Sequence, residues 1–485
     1  MRKLFSASCV FLSVLLLPAG ARAAELPEIA GAADSPNPLS AHALTPGLTA
    51  AYFNPALLAE QKPGFTMGLI FVSQQLNISL MDRDPRYDVH ESIFESRPLS
   101  GAENMLRPLP TESLRSSRGS WKPSANDAFA IIGSQMNFLD DRLVVGFLGL
   151  FPLGAFQEQQ PFFTDEREQY FSNSLHFELF EDRLKTNLVV LSLAGRVART
   201  LALGAGVTMS TTARTQAGIF MPDASRQDES HMNTHVTVNT KLLPHLGLFW
   251  RPFRAWTVTS SLHFPSESRT DGQSEVQFWN YQADPEEEAI VQSFSMIYAY
   301  EPLRVHLGAS FEHGRASSDL FQVALSAQWE NWSTYLDRHG EKPADPWSDT
   351  VRLTLGARKL FSGLHTVGVD ASFIPTPVPD QTGRSNYVDN HRLAFAVGYE
   401  SHSLARRGIT AGLSAQMHVL LKRETLKDLD AARPVFDEYP DSEHIFTGDF
   451  IEESAGFQTN NPGFPGFSSN GVIFAIMAYL KIATN

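Results

Sequence analysis

The sequence predicts an all-β protein, a transmembrane antiparallel β-barrel, from three observations. Apolar and other residues alternate with a period of two in segments of about 10 residues, which stretches rich in Gly, Pro and Asp separate. A membrane barrel gives this pattern because its apolar side chains face lipid and its mixed ones face the lumen. No uncharged apolar run after residue 24 approaches the roughly 20 residues that a transmembrane helix needs. The N-terminus resembles an export signal, and an exported chain without spanning helices is either soluble or a closed barrel.

The first 23 residues predict a cleaved signal peptide, so that the first region of the chain is 1–23. Arg2 and Lys3 form a positive start, residues 4–17 are apolar, and Ala21-Arg22-Ala23 has the form of a cleavage site. The alternative is an uncleaved anchor helix, which the short apolar run disfavours because a bilayer needs roughly 20 residues.

Cysteine content and charge exclude several classes of function. The single cysteine, Cys9, lies in the predicted leader, so no disulfide or thiolate metal site is expected in the mature chain. The net charge is −14. This acidic balance argues against nucleic acid as a partner, since nucleic acids are bound by excess Lys and Arg.

The alternation is clearest in the C-terminal half, for example over residues 350–357, where Val351, Leu353 and Leu355 alternate with polar residues. A soluble β-sandwich also alternates, but its outward face is heavily charged, whereas the polar face here carries Gly, Ala, Ser, Thr and isolated charges. The segments predict about 14 strands, near positions 65–80, 123–138, 143–157, 184–198, 200–217, 232–251, 255–278, 290–312, 317–336, 349–360, 364–375, 390–401, 407–423 and 470–483. Short links alternate with long ones, which predicts a periplasmic rim of short links and an extracellular rim of long loops.

Residues 24–63 differ from the rest because they are rich in Ala, Pro and Gly and do not alternate. Such a segment is either disordered or folded inside the barrel. Within it, Asn54 can cap a short helix, Pro55 suits the first helical position, and Ala56 follows.

Several segments together resemble the FadL/TodX family of outer-membrane transporters for long-chain fatty acids and hydrophobic compounds. They are the Asn-Pro-Ala segment AAYFNPALLA at 50–59, the first strand at 64–80, the Trp-Ser strand WENWSTY at 329–335, the strand DTVRLTLG at 349–356, and the Pro-Val-Pro loop and following strand start at 375–392. The chain departs from the family at Val388, where proline is usual, and after Tyr479, since such barrels usually end on an aromatic residue.

The resemblance implies residues 24–63 as an N-terminal hatch that plugs the lumen and residues 64–485 as the barrel. It implies passive uptake of long-chain fatty acids or other hydrophobic molecules, with the ligand leaving through a lateral opening in the wall. The expected location is the bacterial outer membrane, as a monomer, with lipids and lipopolysaccharide, the barrel-assembly machinery and the hydrophobic ligand as partners. The alternative is a structural or adhesive barrel whose long loops bind partners while the lumen stays closed.

Three sets of residues are candidates for carrying a ligand. An aromatic loop at 157–183 provides a candidate binding surface, unless it folds on itself over the rim; its candidates are Phe162, Phe163, Phe171, Leu175, Phe177 and Phe180. Pro152 and Gly154 interrupt an apolar strand and predict a lateral opening, unless the strand simply ends there. Alternation points four arginines into the lumen, where they could bind a carboxylate or pair with Asp370 or the hatch: Arg196, Arg352, Arg358 and Arg392.

The sequence supports no enzyme, cofactor or metal site. The histidines lack metal-ligand spacing. Residues 466–470 (GFSSN) begin like a nucleophile elbow but lack its final glycine and the strand-to-helix context. The acidic stretch 428–443 lacks the ordered spacing of a calcium loop, so a solvated loop is expected there.

Overall fold

The computed structural model describes most of the chain in well-defined elements. The described residues are 25–44, 47–82, 120–122, 124–154, 175–180, 184, 187–221, 231–278, 290–314, 319–337, 339–383, 385–427 and 463–484. The predicted signal peptide lies outside them. Among these residues, no helix has the length and apolar character needed to span a membrane.

The described chain forms one large sheet of fourteen strands, three of which are briefly interrupted. The strands are β1 Gly64–Leu80, β2 Ser120–Trp121 with Ser124–Phe138, β3 Leu143–Pro152, β4 Leu188–Ala198, β5 Leu201–Met221, β6 His231–Phe253, β7 Trp256–His263 with Ser266–Phe278, β8 Ile290–Glu301 with Arg304–Gly314, β9 Leu320–Glu330, β10 Thr350–Phe361, β11 His365–Ile374, β12 Arg392–Ser401, β13 Ile409–Leu426 and β14 Gly466–Ala483.

The sheet closes on itself because β1 pairs with β14 along its whole length, from Gly64 opposite Ala483 to Leu80 opposite Phe467. Sequential strands pair antiparallel around the barrel. One parallel pairing is added where residues 213–221 of β5 lie beside residues 270–278 of β7. The predicted fold class, an antiparallel barrel of about 14 strands, is confirmed.

The two faces of the wall follow the predicted alternation. On β10, Leu353 and Leu355 are 50% and 52% exposed and point outward, whereas Thr350 and Thr354 are buried on the lumen side. On β14, Phe474 and Ile476 point outward, while Ala475 between them is buried. An apolar outer face of this kind is stable against lipid and not against water.

One rim carries short links whose backbone needs left-handed conformations. Leu139, Asp140 and Asp141, which join β2 to β3, have φ of 54°, 53° and 63°. Ser362 and Gly363 join β10 to β11 with φ of 53° and 64°. Gly363 takes this conformation without steric cost because it has no Cβ.

Prolines and loop contacts account for the differences between predicted and observed strands. β7 is interrupted at Pro265 and β8 at Pro302 because proline has no N–H to donate to the ladder. β3 ends at Pro152 rather than at 157, and β4 begins at Leu188 rather than at 184. β9 ends at Glu330, since the following residues Trp332–Thr334 form a 3-10 turn.

The N-terminal segment (residues 25–61, described at 25–44 and 47–61) packs against the inner face of this wall. It contains three short helices, α1 Glu25–Ala30, α2 Ala41–Leu44 and α3 Ala50–Phe53, followed by the 3-10 helix Pro55–Glu60. Most of its side chains are buried, and they form one apolar cluster with inward residues of the wall such as Ile70, Phe129 and Ile473. The core of the molecule therefore sits in the barrel lumen.

We expect the purified protein to be heat-modifiable on SDS gels and β-rich by circular dichroism. A closed ladder has no free edge from which detergent can unpair strands, so the folded form should migrate differently until the sample is boiled. A mainly helical spectrum, or one migration position before and after boiling, would contradict the closed barrel.

Candidate functional site: the filled lumen

Short helices leave many backbone carbonyls of the N-terminal segment without partners of their own, because the last four C=O groups of any helix lack intrahelical donors. Side chains of the wall supply the missing donors. Ser192 Oγ lies 2.6 Å from the Ala51 carbonyl, and His245 Nε2 lies 2.8 Å from the same oxygen. Other wall donors reach further carbonyls, in the pairs Arg358 to Leu44 (3.0 Å), Gln135 to Leu58 (3.2 Å) and Gln416 to Ile29 (2.8 Å).

An ionic network fixes the start of the segment. The Glu28 carboxylate receives a hydrogen bond from Arg352 Nη1 at 3.1 Å, and Arg304 Nη1 lies 3.8 Å away. Gln328 also donates to it at 3.1 Å. Burial opposes ionisation of Glu28, but Arg304 and Arg352 outweigh it and hold the pKa of this carboxyl well below its usual range. Glu28 is therefore an ionised, fully paired anchor.

A second carboxylate, Asp370 on β11, anchors the next part of the segment. Its oxygens accept hydrogen bonds from Asn37 Nδ2 at 2.9 Å, from the Leu39 backbone N–H at 3.0 Å and from Ser40 Oγ at 2.7 Å. A carboxylate that accepts several hydrogen bonds holds its donors in one geometry. Asp370 is thus a wall residue that positions residues 37–40.

The Asn54-Pro55-Ala56 turn docks on a strip of the wall that lacks side chains. Asn54 caps the 3-10 helix by accepting from the Ala56 N–H, and its amide donates to the Leu248 carbonyl at 3.1 Å. A Cβ on Gly247 would lie 2.2 Å from Asn54 Oδ1, and one on Gly204 would lie 2.3 Å from the Ala56 nitrogen. Only glycine permits this close approach.

The four lumen arginines predicted as carboxylate ligands all point inward, and three of them contact the N-terminal segment. Arg196 pairs with Glu60 at 2.9 Å and also donates to the Ala59 carbonyl. Arg352 binds Glu28, and Arg358 donates to the Leu44 carbonyl. Alternation predicted that these arginines point inward. Of the two kinds of partner considered, Asp370 and the N-terminal segment, the contacts described here are with the N-terminal segment. The residue that the sequence did not single out is Glu28, one of four carboxylates in a segment without periodicity.

The aromatic loop residues that the structure describes are buried in the lumen rather than exposed. Phe177 and Phe180 are inaccessible and Leu175 is partly buried, while Phe162, Phe163 and Phe171 lie outside the described residues. Residues His176–Phe177 pair in parallel with Tyr387–Val388 from the β11–β12 loop. The loop thus folds inward and covers the end of the lumen that bears the long links.

An aromatic layer completes this cover, and the sequence did not single it out. We define the layer as Phe177, Phe180, Trp332, Tyr335, Trp347 and Tyr387. Tyr335 and Trp347 stack with ring centroids 3.6 Å apart, and the Tyr335 hydroxyl donates to Glu178 at 3.1 Å. These residues come from separate loops, so only the folded chain brings them together.

The aromatic layer and the ionic network meet at a small cavity of about 10 Å³, room for one water molecule. Three arginines line it together with Leu179 and with Trp332 of the layer: Arg304, Arg352 and Arg392. The Arg392 guanidinium also stacks over Phe180 at 5.0 Å. The site therefore combines apolar surface with positive charge.

Pro152 and Gly154 lie at the end of β3. Pro152 is the last residue of the strand, opposite Phe129, and the Leu153 N–H bonds the Ala128 carbonyl at 2.7 Å. On the other side, pairing with β4 stops at Leu150. Within the described residues, the ladder is thus intact towards β2, and its last pair towards β4 is Leu150 with Leu188, beside the predicted lateral opening.

Solved structures with the same fold include a crystal structure of a Pseudomonas aeruginosa FadL homologue. It matches with a TM-score of 0.54 and 13% identity, over 93% of this chain and 97% of that one. A TodX monoaromatic hydrocarbon channel, as its deltaS2S3 mutant, matches with a TM-score of 0.49 and 11% identity over 94% and 99%. The CymD monoaromatic hydrocarbon channel matches with a TM-score of 0.48 and 12% identity over 96% and 100%. No protein-family model matches the sequence, and no curated protein matches it. The resemblance noted in the sequence is confirmed at the level of the fold.

We expect Gly247→Ala to displace the N-terminal segment from the wall. The new methyl group would overlap Asn54, and overpacking of this kind costs about 1–3 kcal/mol. The measurement is swelling of proteoliposomes in small sugars, which should rise as the segment leaves the lumen. Gly195→Ala is the matched control, because nothing lies within 4 Å of a Cβ there. Equal permeability of the two variants would contradict the docking geometry.

Proposed function

We propose that this protein is a channel of the bacterial outer membrane for the passive uptake of hydrophobic small molecules, of which long-chain fatty acids are the preferred class. The observation that carries the proposal is the combination of a filled lumen with an aromatic layer above it. Solved structures of the same fold include channels whose names specify monoaromatic hydrocarbons. We extend to this chain the hydrophobic ligand class of those channels and, with it, the outer-membrane location.

The filled lumen selects against polar solutes. The buried N-terminal segment occupies the space through which water and sugars would pass, and its carbonyls are tied to the wall. An apolar solute gains from the aromatic layer instead, since each buried CH₂ contributes about 0.8 kcal/mol. The layer lies on the rim with the long loops, which is the extracellular rim in this proposal.

The arginines favour a carboxylate at the polar end of the ligand. Arg304, Arg352 and Arg392 surround the small cavity below the layer, and guanidinium groups bind carboxylates in bidentate geometry. In the proposal, a fatty acid places its chain among the aromatic rings and its carboxylate near Arg352, where it competes with Glu28. Phe162, Phe163 and Phe171 stay predicted contacts of the same ligand.

The ligand then leaves through the wall beside Pro152 and Gly154. Support comes from the end of the β3–β4 ladder at Leu150 and from the missing N–H of Pro152. In this proposal, the route leads an apolar ligand from the lumen into the membrane.

The rival function is a structural or adhesive barrel whose long loops bind a partner. Uptake of labelled oleate into proteoliposomes separates the two, with methyl oleate and toluene as comparison solutes and protein-free liposomes as the control. The proposal expects oleate uptake well above the control while sugar swelling stays at the control value. Oleate uptake equal to that of protein-free liposomes would favour the adhesive function.

We expect replacement of both Pro152 and Gly154 by valine to reduce uptake sharply. Valine restores an N–H at 152 and favours the pleated strand, and position 154 has room for a side chain because nothing lies within 4 Å of a Cβ there. The variant should assemble and remain heat-modifiable, since both residues lie at a strand end. Uptake at the wild-type rate in the assembled variant would remove this opening from the mechanism.

A further inference from the structure

Four histidines meet where α2 of the N-terminal segment contacts the wall. His42 comes from α2, and His245, His263 and His306 come from β6, β7 and β8. The His42 and His306 rings stack with centroids 4.1 Å apart, and those of His245 and His263 stack at 5.1 Å. His42 lies 6.1 Å from His263 and joins the two pairs. All four side chains are buried, so they form one continuous cluster at the docking interface.

The hydrogen bonds of the cluster fit neutral rings. His42 Nδ1 donates to the Phe53 carbonyl at 2.9 Å, and His245 Nε2 donates to the Ala51 carbonyl at 2.8 Å. His42 Nε2 and both nitrogens of His306 have no hydrogen-bond partner in the described part of the chain. A protonated imidazole donates from both nitrogens, so each added proton would bury an unsatisfied charged donor.

Charged groups of both signs lie around the cluster, and Glu28, the carboxylate that faces His42, is already bound by two arginines. His42 faces Glu28 from α1, Arg304 from β8 and Arg352 from β10, besides the imidazoles of His263 and His306. The Tyr52 ring of α3 packs on His263 at 4.9 Å. The Glu28 carboxylate is already bound by both arginines, and Glu301 and Glu330 also lie against these guanidiniums.

A metal site does not explain the cluster. The stacked rings do not converge on a shared point, and within the described residues no group of three or more His, Cys, Asp or Glu could hold a metal ion. The four histidines are absent from the lining of the small cavity of the ionic network, and His42 lines a second cavity of about 10 Å³ together with Glu28, Phe53 and Arg352.

We infer that the four-histidine cluster is a proton-sensitive latch, which holds the N-terminal segment against the wall while its rings are neutral and releases it in mildly acidic medium. When the segment is released, the rings reach water. Each ring can then accept a proton and donate hydrogen bonds to water from both nitrogens. When the segment is docked, neighbouring imidazoles lie within about 6 Å of each other and repel each other once they are charged. Protonation therefore favours the released state.

The direction of the pH effect on docking follows from His42, which belongs to the N-terminal segment and not to the spanning strands. Burial lowers the pKa of His42 from 6.5 to about 4, with Glu28 opposing and Arg352 adding to the shift. A group whose pKa is lower when docked stabilises docking above its ordinary pKa. As the pH falls from roughly 6.5 to 4, the equilibrium constant for docking should therefore fall about tenfold per pH unit. Glu28 remains ionised in this window because its pKa is held far below it.

Accessibility of a cysteine in α2 tests the latch. Ala43→Cys places a thiol beside His42 in a chain whose only other cysteine is Cys9 of the predicted leader. Labelling by a membrane-impermeant thiol reagent is followed from pH 7.5 to pH 4.5 in the full-length assembled protein. Ser403→Cys, on an exposed link, provides the intrinsic reaction rate at each pH. The latch predicts that the normalised labelling of Ala43→Cys rises at least tenfold as the pH falls.

Two further variants in the Ala43→Cys background keep the test decisive. His42→Asn keeps a donor for the Phe53 carbonyl but cannot become a cation, and His306→Phe keeps the stacked ring without its unsatisfied nitrogens. Each variant should reduce the increase in labelling at low pH. His365→Asn is the control and should leave that increase unchanged, because His365 hydrogen-bonds Tyr399 on the outer face. Labelling that does not change with pH, or a wild-type rise in both cluster variants, would overturn the latch.

Discussion

The structure depends on the requirement that every buried backbone carbonyl of the N-terminal segment finds a donor. Helices of four to six residues cannot supply these donors themselves. The wall supplies them through Ser192, His245, Arg358 and Gln416, each from a different strand. A buried carbonyl without a partner costs about 1–3 kcal/mol. The segment is therefore stable in the lumen only in the register that satisfies these groups together.

The same requirement explains why the inner face carries both polar side chains and glycines. Asp370 must face inward to accept from residues 37–40, and Gly247 must lack a side chain for Asn54 to reach the Leu248 carbonyl. The lumen face is thus complementary to one peptide segment. A lumen used only as a water channel would not need that complementarity.

The sequence predicted the wall well because a barrel strand has a simple local rule. The period of two at 350–357 gave the direction of Leu353, Leu355 and Arg352 correctly, since neighbouring side chains on a strand must point to opposite faces. Strand ends were predicted less accurately because they depend on loop contacts. At β9, for example, the strand ends at Glu330 and the Trp332–Thr334 turn follows.

The site could be predicted only in part because its contacts join residues that are distant in the chain. Arg352 and Glu28 are separated by 324 positions, and no periodic signal marks Glu28. The aromatic layer is likewise assembled from three loops. Phe177 and Phe180 stood out in the sequence as candidate ligand contacts, whereas Trp332 and Tyr335 stood out only as part of the WENWSTY motif. Asn54 and Pro55 were recognisable because a helix cap is a local motif.

The central claim is that residues 25–61 occupy the lumen of the membrane-embedded barrel, and a disulfide tests it most directly. A Cβ on Gly308 would lie 3.1 Å from the Cβ of Ala43 and 2.7 Å from Thr259 Oγ1, so a local shift brings the two Cβ atoms to the roughly 3.8 Å typical of a disulfide. The account predicts that Ala43→Cys with Gly308→Cys cross-links under mild oxidation in the outer membrane, as shown by the change in gel mobility that reduction reverses. Ala43→Cys with Gly195→Cys should not cross-link. Absence of the first cross-link in an assembled barrel would contradict the account.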